Sequence, residues 1–122
     1  MPKILVVDDD PDVVEAVTAF LERSGYEVRS AGSRKEGMNA VRRESPDLII
    51  LDVMMEEPDD GFALAQELRR DGFTKPILML TSIGRVTGMS YGADPSAVPV
   101  DDFVEKPVAP QVLVDKVKAL LK

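Results

Sequence analysis

The chain has 122 residues, 44% of them hydrophobic, with a formal net charge of −7. That length supports one domain spanning 1–122 with a real core, and the composition fits a globular protein rather than a disordered one. Cysteine and histidine are both absent, which excludes disulfides, thiolate nucleophiles, iron–sulfur clusters, Ser-His-Asp chemistry and imidazole metal ligation.

Any metal must therefore be held by oxygen, which favours Mg²⁺, Mn²⁺ or Ca²⁺. The 15 Lys and Arg residues are scattered against 22 acids, so direct binding to nucleic acid or to an anionic membrane is not expected. There is no run of 18 apolar residues, and Met1-Pro2-Lys3 leads straight into a strand-like segment. A soluble, cytoplasmic protein is expected.

Ile4-Leu5-Val6-Val7 is a short apolar run ending in Asp8 and Asp9, the pattern of a strand buried on both faces. Asp10-Pro11 then opens a helix, with Asp as N-cap and Pro at the first helical position. Val13, Val14, Val17, Phe20 and Leu21 keep helical spacing and Gly25 closes the segment. Tyr26 to Ala31 reads as a weaker strand. Ser33-Arg34-Lys35-Glu36 has capping-box form and starts a second helix that runs to about Glu44.

Pro46-Asp47 introduces Leu48-Ile49-Ile50-Leu51, a central strand that delivers Asp52 at its C-terminal end. Asp59 or Asp60 caps a third helix with Phe62, Leu64, Ala65 and Leu68 on its apolar side and Gly72 at its end. Pro76 to Thr81 is a fourth strand. Between Ser82 and Pro99 lie Gly84, Gly88, Gly92, Pro95 and Pro99; an interior Gly costs about 1 kcal/mol and an interior Pro about 3. A short turn within a long loop is expected there. Val100 to Glu105 is the fifth strand, followed by Lys106-Pro107. Gln111 to Lys122 is the last helix, with Val112, Leu113, Val117, Leu120 and Leu121 facing inward.

Strands alternating with helices imply a parallel sheet covered on both faces. A flavodoxin-like doubly wound order, 2-1-3-4-5, places the ligand site beyond the carboxyl ends of the strands. Asp8 and Asp9, Asp52, Thr81 and Lys106 then meet on one rim. Two unit charges about 5 Å apart repel by roughly 3 kcal/mol at an effective dielectric of about 20. Three gathered carboxylates therefore hold a proton or bind a cation, and Mg²⁺ with its retained waters suits them. The same set suits phosphoryl transfer: Asp52 attacks, Lys106 neutralises charge, and Thr81 and the Ser82 backbone N–H donate hydrogen bonds. Asp101, Glu56 and Glu57 read as solvated surface.

Val6-Val7-Asp8-Asp9, Leu51-Asp52-Val53-Met54-Met55, Gly61-Phe62, Leu80-Thr81-Ser82 and Phe103-Val104-Glu105-Lys106-Pro107 follow one another along nearly the whole chain. In this ordered set the sequence resembles the receiver domains of two-component response regulators, of the chemotaxis-regulator type. The resemblance implies a signalling switch rather than a turnover enzyme, phosphorylated on Asp52 by a sensor histidine kinase or histidine phosphotransfer protein and read by a downstream effector. It implies Mg²⁺ held by Asp8, Asp9, Asp52 and the Met54 carbonyl. Lys106 would contact the phosphoryl group beside a cis Pro107, and Thr81 and Phe103 would form a switch pair. The sequence departs from the pattern by one extra residue in Glu56-Glu57-Pro58-Asp59-Asp60-Gly61 and by an insertion before Asp102-Phe103, where the family places its fourth helix. Two other readings compete. A haloacid-dehalogenase-like phosphohydrolase would use Asp8-x-Asp10, although Asp10 here meets Pro11. A phosphorylation-independent pseudo-receiver would keep the fold alone, although the acids, Thr81 and Lys106 are all retained.

Overall fold

The segments that can be buried on both faces settle which strands lie in the middle. The computed structural model describes residues 2–52, 60–82, 100–106 and 108–121, apart from the side chains at 60, 62, 82 and 106. Among the described residues the order is β1 (Lys3–Val7), α1 (Pro11–Arg23), β2 (Glu27–Ala31), α2 (Arg34–Glu44), β3 (Leu48–Asp52), α3 (Asp60–Arg70), β4 (Ile77–Ser82), β5 (Asp102–Lys106) and α4 (Pro110–Leu120). The strands form one parallel sheet in the order β2-β1-β3-β4-β5. This is the flavodoxin-like doubly wound arrangement that the alternation of elements predicts. The expected irregular stretch from 83 to 99 lies outside the described residues.

Every residue of β3 is buried, and its side chains alternate between two cores. Ile49 and Leu51 join Leu5, Val7 and Met79 under α2 and α3. Leu48 and Ile50 join Ile4, Val6 and Leu78 under α1 and α4. Each such aliphatic side chain gains about 1.5–3 kcal/mol by leaving water, so the uninterrupted apolar runs become the central strands. β2, with Arg29 and Ser30 exposed, takes one edge.

The helix starts follow the local chemistry. Asp10 caps α1, its Oδ1 accepting the Asp12 N–H at 2.9 Å, with Pro11 opening the helix. Ser33 Oγ accepts the Glu36 N–H at 3.1 Å, while Glu36 Oε1 reaches back to the Gly32 N–H, one residue before the position a capping box would use. Gly25 and Gly72 both end helices at φ +95, in the left-handed region that glycine enters at no steric cost.

Several boundaries differ from the sequence expectation; β2 starts at Glu27 and β4 runs over Ile77–Ser82, each displaced by one residue. β5 starts at Asp102, not Val100. The Asp101 carboxylate takes the Ile77 N–H at 2.8 Å, so the regular ladder begins one residue later. α4 starts at Pro110, and Val112 points outward at 45% exposure while Val114 is buried. The inward stripe runs through Leu113, Val114 and Val117, and Val112 falls beside it. α3 includes Asp60 as its first residue, so Asp60 is not the cap, and Asp59 lies outside the described residues.

Gly37 lets α2 approach the sheet. A Cβ there would sit 3.0 Å from Leu64 Cδ2 and 3.1 Å from Val7 Cγ1, both in the core. Gly37→Ala gains about 1 kcal/mol of helix propensity and loses about 1–3 kcal/mol to overpacking. A net loss of about 1 kcal/mol is expected from denaturant unfolding, opposite in sign to the same change on an exposed helix face.

At the far end of the sheet Lys3 Nζ, Arg29 and Arg43 converge on Glu44 at 3.3, 3.6 and 3.0 Å. The Arg43 hydrogen bond, then that of Lys3, holds the Glu44 carboxyl below its ordinary range. The unfolded chain therefore binds more protons here, and stability rises with pH through that window. The contribution is present above the unfolded pKa and is lost as pH falls through the lowered folded value. Glu44→Gln is expected to flatten the acid limb of a stability-versus-pH curve, and an unchanged slope would contradict this.

Candidate functional site

Parallel strands end on the same rim, so strand ends far apart in sequence arrive side by side. β1 ends immediately before Asp8 and Asp9, β3 ends in Asp52, β4 in Thr81-Ser82 and β5 in Lys106. Asp8 is 1% exposed; its Oδ1 accepts the Asp10 N–H at 2.9 Å and its own N–H donates to the Ala31 carbonyl at 3.1 Å. These bonds hold the turn between β1 and α1 and present Asp8 at the head of the helix, where the dipole favours negative charge. Asp9 is exposed and Asp52 is 6% exposed.

One carboxylate oxygen from each of Asp8, Asp9 and Asp52 lies within 4.8 Å of the others. At that separation three like charges repel strongly. All-oxygen donors with one exposed member suit a hard divalent cation that keeps some of its water.

Thr81 is buried at the end of β4, and Ser82 and Lys106 are register partners on β4 and β5. The side chains of Ser82 and Lys106 lie outside the described residues, as do Met54 and Pro107. Phe103 is half-buried and packs on the core beneath α2 and α3. Thr81 stands on the same side of the sheet, since it follows Met79 by two residues. Asp10, which a haloacid-dehalogenase reading would place in catalysis, is engaged as the cap of α1.

Sequence reasoning assigned no role to the wall beside the acids. A cavity of about 410 Å³ runs there between Pro11 and Val14 of α1 and Ser30 and Ala31 at the end of β2. Only the small residues at 30–32 hinted at space. Asp101 is exposed, as expected of solvated surface, and it also ties α3 to the sheet through Arg69 at 2.9 Å.

Residues 4–118 match the family described as "Response regulator receiver domain". The chain belongs to that family. This receiver domain is 40% identical to the Synechocystis protein named DNA-binding dual master transcriptional regulator RpaA, over 100% of the chain and 50% of that protein. It is likewise 40% identical to the Bacillus subtilis alkaline phosphatase synthesis transcriptional regulatory protein PhoP, over 98% of the chain and 48% of that protein. Among solved structures, Vibrio cholerae chemotaxis protein CheY4 superposes with a TM-score of 0.87 at 30% identity, covering 99% of each chain. A two-component response regulator from Clostridium difficile gives 0.85 at 30% identity, covering 99% of this chain and 96% of that one.

The receiver domain spans about half the length of the curated relatives it matches. The expectation that no nucleic acid is contacted finds no support in them, since the Synechocystis relative is named as DNA-binding. No helix among the described residues is long and apolar enough to cross a membrane.

Proposed function

We propose that this receiver domain is a phosphorylation-dependent switch that accepts a phosphoryl group on Asp52. The observation that carries this is the gathering of Asp8, Asp9 and Asp52 within 4.8 Å at the carboxyl rim of the sheet. Such a rim is where doubly wound folds bind ligands.

The donor is a sensor histidine kinase or histidine phosphotransfer protein, and the exchange takes place in the cytoplasm. An Asp52 oxygen attacks phosphorus, the bond from phosphorus to the donor imidazole breaks, and an acyl phosphate remains on Asp52. Asp8, Asp9 and Asp52, with the Met54 carbonyl, would hold Mg²⁺, which when bound supplies charge neutralisation for the transferring group. Lys106 supplies a second positive charge at the same rim, and the Thr81 hydroxyl and Ser82 N–H donate to the phosphoryl oxygens. Asp8, buried and already accepting the Asp10 N–H, keeps a fixed orientation and spends no reorganisation when the site fills. The receiver assists its own modification without turning over a substrate.

Readout runs through Thr81 and Phe103. Both belong to the side of the sheet beneath α2 and α3. A hydrogen bond from Thr81 to the phosphoryl group draws the hydroxyl toward the rim, and Phe103 moves inward behind it, biasing a two-state surface that an effector reads.

Intact-mass spectrometry after incubation with Mg²⁺ and acetyl phosphate tests the reading. One added phosphoryl group is expected on the wild type and none on Asp52→Asn. Undiminished labelling of the variant overturns the assignment.

A further inference from the structure

Among the described residues β5 lies at the edge of the sheet with β4 as its one neighbour, and it carries both Phe103 and Lys106. Its own apolar content is slight: Val104 is buried and Phe103 half-buried, while Glu105 is exposed. A strand with so little core specifies its register weakly, and a slip of one residue sends every side chain to the opposite face. Such a slip would bring Glu105 in place of Lys106 opposite Ser82, and would move Phe103 away from the Thr81 side.

Two consecutive residues at the strand entry oppose that slip from opposite faces. On the α3 face, Asp101 Oδ2 accepts from Arg69 Nη2 at 2.9 Å and from the Ile77 N–H at 2.8 Å, while the Asp101 N–H donates to the Ile77 carbonyl at 2.9 Å. Arg69 is itself anchored. Its Nη1 donates to the Phe73 and Lys75 carbonyls at 2.9 and 2.8 Å, and its guanidinium lies 5.8 Å from the centre of the Phe73 ring. On the α4 face, Asp102 Oδ1 accepts from Lys116 Nζ at 3.0 Å and from the Phe103 N–H at 2.8 Å.

We propose that Asp101 and Asp102 are positioning residues that lock β5 in register from both faces of the sheet and thereby set Lys106 at the rim that carries Asp52. The role in phosphoryl transfer rests on the acceptor reading above; the register lock stands on the geometry alone. Exposed ion pairs contribute little to global stability one at a time. A slipped strand, however, breaks the Arg69 and Ile77 contacts of Asp101 and the Lys116 contact of Asp102 together, so the pair selects among registers rather than raising overall stability.

The test compares Asp101→Ala/Asp102→Ala with Asp101→Asn/Asp102→Asn in the full chain. The alanine pair is expected to label from acetyl phosphate roughly tenfold to a hundredfold more slowly, the scale of a misplaced group far from the mutation. Amides of β5 should exchange hydrogen faster while those of β1 and β3 keep their protection, and Mg²⁺ affinity by calorimetry should hold. Asparagine keeps an oxygen for the Ile77 and Phe103 N–H groups, so the asparagine pair should label near the wild-type rate. In a Lys106→Ala background the alanine pair should add no further slowing, because it acts through Lys106. Arg69→Gln and Lys116→Gln combined give the same test from the partner side where the alanine pair fails to fold. Wild-type labelling rates, unchanged β5 exchange, or an undiminished effect without Lys106 overturn the proposal. A wild type that takes no label overturns the acceptor reading instead, and the exchange arm then decides the register lock.

Discussion

Without a divalent cation, Asp52→Asn is expected to raise the unfolding free energy of this receiver domain by about 1–3 kcal/mol, against the usual trend for a buried substitution. Asp52 is 6% exposed, and an oxygen of its carboxylate lies within 4.8 Å of oxygens on Asp8 and Asp9. Asparagine keeps the shape and an acceptor oxygen but removes one of three like charges. The exposed Asp9 is screened by solvent, which keeps the gain below the sum of two full repulsions. Mg²⁺ should reverse the ranking. A ligand bound only by the folded state stabilises it by about 2.7 kcal/mol at a hundred times its dissociation constant. The wild type should gain on this scale, and the variant much less. Paired denaturant curves in a chelator and in Mg²⁺ measure both effects. A variant less stable than wild type in chelator would show that the three carboxylates are not in electrostatic conflict.

The second large effect lies in the strand that carries Asp52. Ile50→Ala is expected to cost about 2–5 kcal/mol, and Ile50→Val about 0.5–1.5 kcal/mol. Ile50 is 0% exposed, lies opposite Val6 and Leu78 in the ladder and belongs to the core beneath α1 and α4. The loss combines the transfer energy of the removed carbons with a cavity that neighbours on both flanking strands cannot close. Val112→Ala on exposed α4 surface should stay within about ±0.5 kcal/mol and serves as the control. A loss at Ile50 no larger than at Val112 would mean that the sheet core is not close-packed at its centre.

Local chemistry made much of this molecule readable in advance. Asp10-Pro11 and Ser33 are caps whose side-chain oxygens accept backbone N–H groups within three residues, so neighbours in sequence determine them. Ile4 to Val7 and Leu48 to Leu51 are short apolar runs bounded by charged residues, the pattern of strands buried on both faces, and the carboxylates that follow them end on the rim. Asp8, Asp9 and Asp52 were therefore visible as a set once strand order was inferred.

Other features depended on partners distant in the chain. Nothing near Asp101 announces that Arg69, 32 residues earlier, will hold it. The start of β5 at Asp102 follows from that capture and from the Ile77 N–H, not from the run of residues around it. Apolar character alone does not say which side of a helical stripe faces the sheet, and the sheet takes Val114 rather than Val112.

By itself the sequence determined the alternation of strands and helices, the caps that begin α1 and α2, and the acids at two strand ends, because each depends on contacts a few residues apart. Only the tertiary structure decided that Asp8, Asp9 and Asp52 share a space of 4.8 Å, that Glu44 gathers three cations, and that two aspartates at the entry of β5 are held from opposite faces. Those outcomes require separate segments to be brought to fixed distances, and burial of the two cores on either side of the sheet supplies the free energy that does so.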